Sequence, residues 1–469
     1  MKFAAALALF SVLAHMRQVN GNVYAMHLAS TAAVTVDGQA ATQQTDTQGL
    51  RFLLRQCSGA VCPGTYFDGQ RLYGVTINGT ALPRPEPSDA YMRALRIVGA
   101  LDFIAPDFAQ RGGHVLDGGT VALGGCTCRR LFVSGTDATP MEVYVDPRTW
   151  LVSGARSIGG GTAFAMRDYR RVGAYVLPFR IDRNGETIEQ YTTRNVVATP
   201  LQPPQGLIAQ FLSKPSTVAL DPASSTPDAM CTLGGISVRC LFDTGNSGVA
   251  MSLELAEQLN LNPVGVFNVR GLGSYATEVV RAGPLQIGGV RFGDAEYVVL
   301  SDIHRYGYDL VLGADVFAAA PMTIDYAHHS IAFGVDRPAD PAQTIALTFD
   351  NFVPVVDVFL AGQPAQLAVD TGDQSNVNLA DDFYSRHSTL FKPTHVQSVG
   401  GIGGDSVELM GTIPSMQIGP VVTGPQNIGT TKTLKGTADG HLGAGFLSNF
   451  AVLLDYARER MELLPSKKT

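Results

Sequence analysis

Two tripeptides of identical sequence contain the residues of this chain that are best suited to acid–base chemistry. They are Asp243-Thr244-Gly245 and Asp370-Thr371-Gly372. An aspartate near a glycine is usually a turn residue, and any tripeptide recurs by accident. Here an apolar run leads directly into each aspartate, which places both carboxyl groups where a buried strand ends. Asp243 and Asp370 are therefore predicted to be a catalytic pair.

Two aspartates held together in a shielded cleft have a specific chemistry. Both cannot ionise comfortably at short range, so the pair shares one proton and titrates as a unit. One carboxylate can then act as general base on a water molecule while the other protonates a carbonyl oxygen. Such a pair hydrolyses an amide without a metal or a cofactor, and we predict neither for this chain.

Residues around each aspartate are predicted to support the pair. The two threonines, Thr244 and Thr371, can hydrogen-bond across to the other copy. The two glycines, Gly245 and Gly372, let the backbone turn sharply with an N–H close to the carboxylate. An apolar-Gly element follows in each copy and would let a second strand pass tightly behind the acidic loop. The glycines of these elements are Gly313 and Gly443.

The sequence around the two aspartates is repeated in order. The aspartates are 127 residues apart, and three further pairs of segments match at offsets of 131, 130 and 130. Those segments are LQIG at Leu285 with MQIG at Met416, LGADVF at Leu312 with LGAGFL at Leu442, and IDYAHHSIAF at Ile324 with LDYARERMEL at Leu454. Four matching blocks with so little drift indicate two copies of one β unit of about 120 residues.

Each copy contains a glycine-rich stretch between the aspartate and the apolar-Gly element. The first is RGLGSY, Arg270 to Tyr275, and the second is VGGIGGD, Val399 to Asp405. Such stretches are candidate flaps that close over a substrate and exclude water, although ordinary hairpin tips have the same composition. The flap candidates are Gly271, Gly273, Tyr275, Gly401 and Gly403.

These motifs resemble those of retropepsin-type aspartic peptidases. In that family a hydrophobic strand, DTG, a glycine-rich flap, an apolar-apolar-Gly element and a final strand follow one another, as in residues 216–335 and 343–465. Two units in one chain are similar to the pepsin arrangement, in which each lobe supplies one aspartate, whereas retroviral relatives pair two identical subunits. The resemblance implies an aspartic endopeptidase, and it leaves open whether the lobes pair within one chain or between chains.

Three residues depart from the pattern of that family. Asn246 and Asp373 follow the glycines where a small or hydroxylated residue is common, and His441 replaces an apolar residue. We expect Asn246 to be able to donate to a carboxylate oxygen. Asp373 is expected to be an outward-facing turn residue or, if it turns inward, a third negative charge that raises the pKa values of the pair. Asp373 and His441 both lie in the second copy, so a degenerate lobe would be suspected there.

The first 200 residues contain no catalytic motif that we can defend. Two of their segments, VYVDPRTWLV at Val143–Val152 and FAMRDYRRVGAYVLPF at Phe164–Phe179, resemble the half-open β-barrel of periplasmic lipoprotein carriers. The resemblance implies a curved sheet whose apolar concave face holds an acyl chain or a peptide segment. A propeptide-like or scaffolding domain is the alternative.

Composition and length indicate a mainly β protein of several domains. The chain of 469 residues is too long for one ordinary core, and its 51 glycines and 26 prolines lie among many short strand-like runs. A proline-rich break at Ala198–Gly206 marks a linker. We predict an N-terminal half-open β-barrel-like domain (1–205) and two tandem retropepsin-like lobes (206–338 and 339–469) that form a pseudo-two-fold, bilobal unit.

The two resemblances imply a polypeptide substrate for the lobes and an acyl chain or a peptide as the ligand of the first domain. A formal charge of −7 without a basic stripe does not favour binding to nucleic acid. No segment after the N-terminus is apolar over the roughly 18 residues that a membrane span requires.

Six cysteines fall into three close pairs, which are Cys57 with Cys62, Cys126 with Cys128, and Cys231 with Cys240. If a turn centred on Gly235 and Ile236 joins the last pair, its members face each other across two strands and permit a disulfide. Reduced thiols are the alternative.

The location of the protein is expected to be periplasmic or secreted, but its export signal is ambiguous. The N-terminal MKFAAALALFSVLA is compatible with a short secretory signal and equally with an amphipathic first helix.

Two functions therefore compete. The first is an aspartic-type endopeptidase that activates water between two aspartates. The second is a non-catalytic lipid- or peptide-binding protein with degenerate peptidase lobes, which Asp373 and His441 support. Retention of both acids argues for the endopeptidase, because a relic has no physical need for an acid at either strand end.

Overall fold

The computed structural model is mainly β, as the sequence predicts. It describes residues 2–36, 39–85, 87–123, 125–271, 273–335, 337–402, 404–431 and 438–465. The chain divides into two units. The N-terminal unit contains Met1–Ser58, Cys62–Tyr73 and Pro85–Pro204, and the C-terminal unit contains Gly59–Val61, Gly74–Arg84 and Gln205–Thr469. The predicted division into three domains stays a prediction.

Helices are short except for the first two. The α-helices are α1 (Lys2–Asn20), α2 (Pro87–Gly99), α3 (Leu253–Gln258), α4 (Ala314–Phe317), α5 (Asp381–Arg386) and α6 (Ala444–Leu447). Single 3-10 turns occur at Val23–Ala25, Asp102–Ile104, His304–Tyr306, Ser388–Leu390 and Tyr456–Arg458. Among the described residues, no helix combines the length and the apolarity needed to cross a membrane.

In the part of the chain that the structure describes, thirteen strands precede the linker. They are β1 (His27–Val36), β2 (Gln39–Gln48), β3 (Arg51–Cys57), β4 (Gly64–Phe67), β5 (Leu72–Val75), β6 (Ala81–Pro83), β7 (His114–Leu123), β8 (Cys126–Ser134), β9 (Met141–Val145), β10 (Val152–Ser157), β11 (Ala163–Val172), β12 (Tyr175–Arg183) and β13 (Glu186–Val197). Within the N-terminal unit, antiparallel pairing gives the order β4-β3-β2-β1-β13-β12-β11-β10-β9-β8-β7.

Both long helices contribute to the core of the N-terminal unit. Val12 and Met16 of α1 and Ile97 of α2 are buried in one apolar cluster with Val143 of β9. The segment that the sequence leaves open between a signal and a first helix is thus helical and packs on this sheet. The likeness of this unit to a lipoprotein carrier stays a prediction.

The C-terminal unit contains the remaining strands. Those of the first copy and its approach are β14 (Gln210–Phe211), β15 (Ser216–Ala219), β16 (Asp228–Leu233), β17 (Ile236–Phe242), β18 (Val249–Ser252), β19 (Pro263–Arg270), β20 (Ser274–Ala282), β21 (Leu285–Ile287), β22 (Val290–Phe292), β23 (Ala295–Leu300), β24 (Leu310–Leu312), β25 (Met322–Asp325) and β26 (Ser330–Phe333). Those of the second are β27 (Thr344–Ala346), β28 (Thr348–Asp350), β29 (Val353–Leu360), β30 (Gln363–Asp370), β31 (Val377–Ala380), β32 (Lys392–Gly401), β33 (Gly404–Ile413), β34 (Met416–Ile418), β35 (Val421–Thr423), β36 (Gln426–Thr431), β37 (Gly440–Gly443), β38 (Phe450–Asp455) and β39 (Arg460–Pro465).

Two large sheets of the C-terminal unit have the same strand order. One runs β19-β20-β23-β18-β24-β17-β16-β21-β22, with β14 at its end, and the other runs β32-β33-β36-β31-β37-β30-β29-β34-β35. A third sheet, β15-β26-β25-β38-β39-β27, joins the two copies through antiparallel pairing of β25 with β38. One continuous apolar cluster runs through both copies and includes Phe242, Phe333, Val369 and Val452.

The three cysteine pairs are each joined as a disulfide. The predicted register of the last pair is wrong. The turn is formed by Gly234 and Gly235, which have positive φ, so Cys231 lies opposite Val238 rather than opposite Cys240. The disulfide therefore links a diagonal pair of the hairpin and not a directly facing pair.

The segment Gly74–Arg84 belongs to the C-terminal unit although it precedes the linker. The Thr76 hydroxyl donates to Oδ1 of Asp315 (2.6 Å), and the Asn78 amide donates to Oδ2 (2.8 Å). Asp315 is 0% exposed, and burial raises the pKa of its carboxyl against these hydrogen bonds. Asn78 also bonds the backbone C=O and N–H of Glu296 at 2.9 and 2.8 Å. Residues 205–469 alone would leave a buried acid without its donors.

Asn78→Ala is expected to destabilise the C-terminal unit. It removes one donor from a buried carboxylate and both partners of the Glu296 backbone, and each group left without a partner costs about 1–3 kcal/mol. Urea denaturation measures the change. The matched control is Gln417→Ala, whose side-chain amide is exposed. Equal unfolding midpoints for the two variants would show that the segment is dispensable.

Candidate active site

The two aspartates lie at equivalent points of the two large sheets. Asp243 follows the last residue of β17, which pairs in parallel with β24, and its N–H donates to the Leu312 carbonyl (2.9 Å). Asp370 is the last residue of β30, which pairs in parallel with β37 so that Asp370 lies opposite Gly443. The strands before both acids are buried, whereas both acids are partly exposed. The fold therefore presents each carboxyl at a strand end with access to solvent.

The two carboxyl groups lie within hydrogen-bonding reach of each other. The glycines of the tripeptides make this approach feasible. A Cβ on Gly245 would lie 2.5 Å from Oδ2 of Asp370, and a Cβ on Gly372 would lie 2.6 Å from Cγ of Asp243. Each glycine also donates its N–H to the aspartate of its own copy, at 2.8 Å for Gly245 and 3.0 Å for Gly372. The glycines thus leave room for the two carboxyl groups and donate hydrogen bonds to them.

The two threonines form a reciprocal set of hydrogen bonds between the copies. The Thr244 hydroxyl donates to the Val369 carbonyl (2.6 Å) and accepts from the Thr371 N–H (3.0 Å). The Thr371 hydroxyl donates to the Phe242 carbonyl (2.7 Å) and accepts from the Thr244 N–H (3.0 Å). Both threonines are fully buried. These bonds tie together the two loops that carry the acids.

The two aspartates differ in electrostatics. Burial, followed by the negative charge of Asp370, raises the pKa of Asp243 well above its ordinary value. Burial also acts to raise the pKa of Asp370, but the hydrogen bond and charge of His441, together with hydrogen bonds from Asp243 and the Gly372 N–H, leave that pKa lowered. The pKa of Asp243 is therefore shifted upward and that of Asp370 downward, so the two carboxyl groups are not electrostatically equivalent.

Two of the three departures from the family pattern, Asp373 and His441, lie close to the second aspartate. Nδ1 of His441 is 3.4 Å from Oδ2 of Asp370, and the His441 side chain is 32% exposed. The Asp373 N–H donates to Oδ1 of Asp370 (3.1 Å), while its carboxylate accepts from the N–H and hydroxyl of Ser375. Burial, and then the charge of Asp370, raises the pKa of Asp373. Asp373 is thus a partly buried turn residue that interacts with the pair.

The role expected of Asn246 is wrong. Its side-chain amide donates to the backbone carbonyls of Gly248 (3.2 Å) and Val311 (3.3 Å), not to an aspartate. It therefore closes the acidic loop on β24. Gly313 and Gly443 lie where the sequence places them, because a Cβ on either would collide with a backbone carbonyl of the adjacent acidic loop.

Both flap candidates are tips of long hairpins. Gly271 and Gly273 lie at the tip of β19–β20, where the Gly271 N–H donates to the Gly273 carbonyl (2.8 Å). Gly401 ends β32, and Gly403 lies outside the described residues. The tips meet, because a Cβ on Gly271 would lie 2.5 Å from the Ile402 carbonyl oxygen.

Ile402 packs on an apolar face of the first copy. Its side chain contacts the cluster that includes Leu241, Ala250 and Val311, to which Tyr275 also belongs. Leu241 precedes Asp243 by two residues and projects from the same face of the strand. The tip of the second hairpin therefore packs on the strand that leads into Asp243.

Sequence reasoning missed two residues that the structure brings to the site. Ile402 stands within the VGGIGGD stretch, but only its glycines were singled out as candidates. Tyr456 is 2% exposed, and burial, followed by the charges of Asp243 and Asp370, raises its pKa. The repeat held a signal for it, since Tyr326 occupies the matching position of the first copy. Among the described residues, no group of three or more His, Cys, Asp or Glu side chains is arranged to hold a metal ion.

Comparison with known proteins supports part of this description. Residues 229–316 match the family model described as aspartyl protease. The match contains Asp243 and the Val311-Leu312-Gly313 element and excludes the second copy. No curated protein matches the chain.

Thr371→Val is expected to destabilise the C-terminal unit by about 1–3 kcal/mol, because it leaves the buried Thr244 N–H without an acceptor and the Phe242 carbonyl without a donor. Thr371→Ser keeps the hydroxyl and is the control. Chemical denaturation followed by circular dichroism measures the free energy of unfolding of both variants. A serine variant as unstable as the valine variant would assign the effect to packing instead of the hydrogen bonds.

Proposed function

We propose that this chain is an aspartic-type endopeptidase that hydrolyses peptide bonds with water activated between Asp243 and Asp370. The observation that carries the proposal is the close approach of the two carboxyl groups, whose loops are held together by the reciprocal threonine bonds. The aspartyl protease match over residues 229–316 supports the same function at the level of the family. The pairing of β25 with β38 supports a dyad formed within one chain.

The proposed reaction uses the two acids in different roles. Asp370, as carboxylate, takes a proton from water while Asp243 donates its proton to the carbonyl oxygen of the peptide. The resulting tetrahedral diol collapses when Asp370 passes its proton to the leaving amine. The proton of one diol hydroxyl returns to Asp243, so the starting state is restored and every proton is accounted for. No covalent intermediate forms in this sequence.

The substrate is a polypeptide, which the two hairpin tips would cover during the reaction. The three disulfides favour a periplasmic or secreted location, because disulfides persist in oxidising compartments. For the N-terminal unit we propose a carrier-like role, in which its sheet holds an acyl chain or a peptide segment.

Asp243→Asn is expected to lower peptide cleavage by at least about 10³-fold, because the amide cannot supply the proton that the carbonyl oxygen requires. Cleavage of an unstructured protein substrate, read by mass spectrometry, measures the loss. The exposed Asp382→Asn in α5 is the matched control. Circular dichroism verifies that both variants stay folded. Undiminished cleavage by the Asp243 variant would show that the pair of aspartates does not carry the reaction. Absence of cleavage by the unsubstituted protein would favour the alternative, a lipid- or peptide-binding protein with degenerate lobes.

The pH dependence of kcat/KM is expected to be bell-shaped. The active form has Asp370 ionised and Asp243 protonated, so activity rises with pH through the lowered pKa of Asp370 and falls through the raised pKa of Asp243. Initial rates on a fluorogenic peptide, with and without a hydroxyl-containing analogue of the diol, measure the profile. Activity that increases steadily into alkaline pH would contradict the shared-proton mechanism.

A further inference from the structure

His441 occupies the position in the second copy that Val311 occupies in the first. In each copy this residue lies on the strand next to the one that leads into the aspartate. Val311 is opposite Ala250 of β18, and His441 is opposite Asn378 of β31, in the same register. The backbone is therefore equivalent at the two positions, and only the side chains differ.

The surroundings of the two residues are opposite in character. Val311 is 5% exposed in an apolar cluster with Leu241 and Leu300. The ring of His441 instead contacts the carboxylate of Asp370 through Nδ1. A neutral valine would complete the apolar wall, whereas a histidine next to an ionisable dyad introduces a group that can carry a positive charge.

The titratable groups that face the ring of His441 are acids. They are Asp370 at the end of β30, Asp373 in the turn after it, and Glu408 of β33. Strand β31 contributes Asn378, a neutral side chain whose amide donates to the carboxylate of Glu408. Glu408 is 4% exposed and fills the space left by the missing side chain of Gly429. Although burial acts to lower the pKa of His441, these acids raise it, with Asp370 the largest contributor.

Donors other than His441 are nearly matched between the two aspartates. Asp243 accepts from Gly245 N–H, and Asp370 accepts from Gly372 N–H. The Gly372 N–H also acts as a donor to Asp243, whereas the Asp373 N–H and the imidazole of His441 lie at hydrogen-bonding distance from Asp370. A cation beside one of two equivalent carboxylates removes their equivalence.

We infer that His441 is a positioning residue that fixes the negative charge of the dyad on Asp370, so that Asp370 acts as the base and Asp243 as the acid. The inference rests on the proposed peptidase function. On this inference His441, which departs from the family pattern, has a role in the reaction. Without the imidazolium, Asp370 loses the charge that keeps it ionised in acid, so the reactive monoanion forms only at higher pH.

The pairing itself can be tested without any assay of activity. The imidazole resonances of His441, assigned with His441→Gln, are followed by NMR across the acid and neutral range. We expect His441 to titrate above the ordinary histidine midpoint of about 6.5 and to titrate at lower pH in Asp370→Asn. An unchanged midpoint in Asp370→Asn would overturn the inference, whether or not the protein cleaves peptides.

The effect on the reaction is tested by the pH profile of His441→Val, which installs the residue of the first copy. We expect its acid limb to move to higher pH, with kcat/KM at least about tenfold lower on that limb and a much smaller loss at the optimum. His441→Gln should behave in the same way, because it offers a hydrogen bond without a charge. Thermal unfolding verifies that both variants fold.

The matched control is His395→Val, which removes an exposed histidine from β32 of the same copy. It should leave the profile unchanged. A uniform loss of kcat/KM at every pH in His441→Val would assign the residue to packing and overturn the inference. A wild-type protein without peptidase activity, but with a histidine that still responds to Asp370→Asn, would contradict the proposed function and leave the electrostatic pairing in place.

Discussion

Repulsion between two carboxyl groups in contact is the constraint on which the C-terminal unit depends. In water Asp243 and Asp370 would separate, so the backbone must oppose their charge. The reciprocal bonds of Thr244 and Thr371 tie one loop to the other, and the N–H groups of the following glycines bind the acids. Behind the loops, one apolar cluster and the shared sheet through β25 and β38 hold the two copies together. The remaining repulsion is relieved by the retained proton.

The same backbone arrangement gives the two acids different environments. Strand order and register are equivalent in the two large sheets, so symmetry alone would make Asp243 and Asp370 interchangeable. The difference arises from side chains at matching positions, valine in one copy and histidine in the other. The repeated fold thus places the two aspartates at equivalent positions. In the proposed reaction, the replacement of valine by histidine makes their pKa values different, so that one can act as acid and the other as base.

Local sequence predicts this site well where the signal is local or repeated. An apolar run into Asp-Thr-Gly, found twice, predicts where the acids lie because strand ends and glycine turns follow from short-range sterics. Long-range contacts have no such signal. Two examples are visible only in the assembled fold. Asn78 donates a hydrogen bond to Asp315, more than two hundred residues away, and Ile402 packs on the apolar cluster of the first copy. The turn of the Cys231 hairpin lies one residue earlier than predicted, at Gly234 and Gly235 with positive φ, and this moves the partner of Cys231 by two residues, from Cys240 to Val238.

The departures in the second copy are better explained by function than by decay. A decaying lobe is expected to lose interactions one by one. Here the substituted residues bind one another and the dyad: the Asn378 amide donates to Glu408, and His441 contacts Asp370. Gly429 leaves the room that the carboxylate of Glu408 occupies. Each of these residues would be destabilising without the others, because a buried polar group without its partner costs free energy. Their joint presence beside a retained aspartate favours selection for the charge they create.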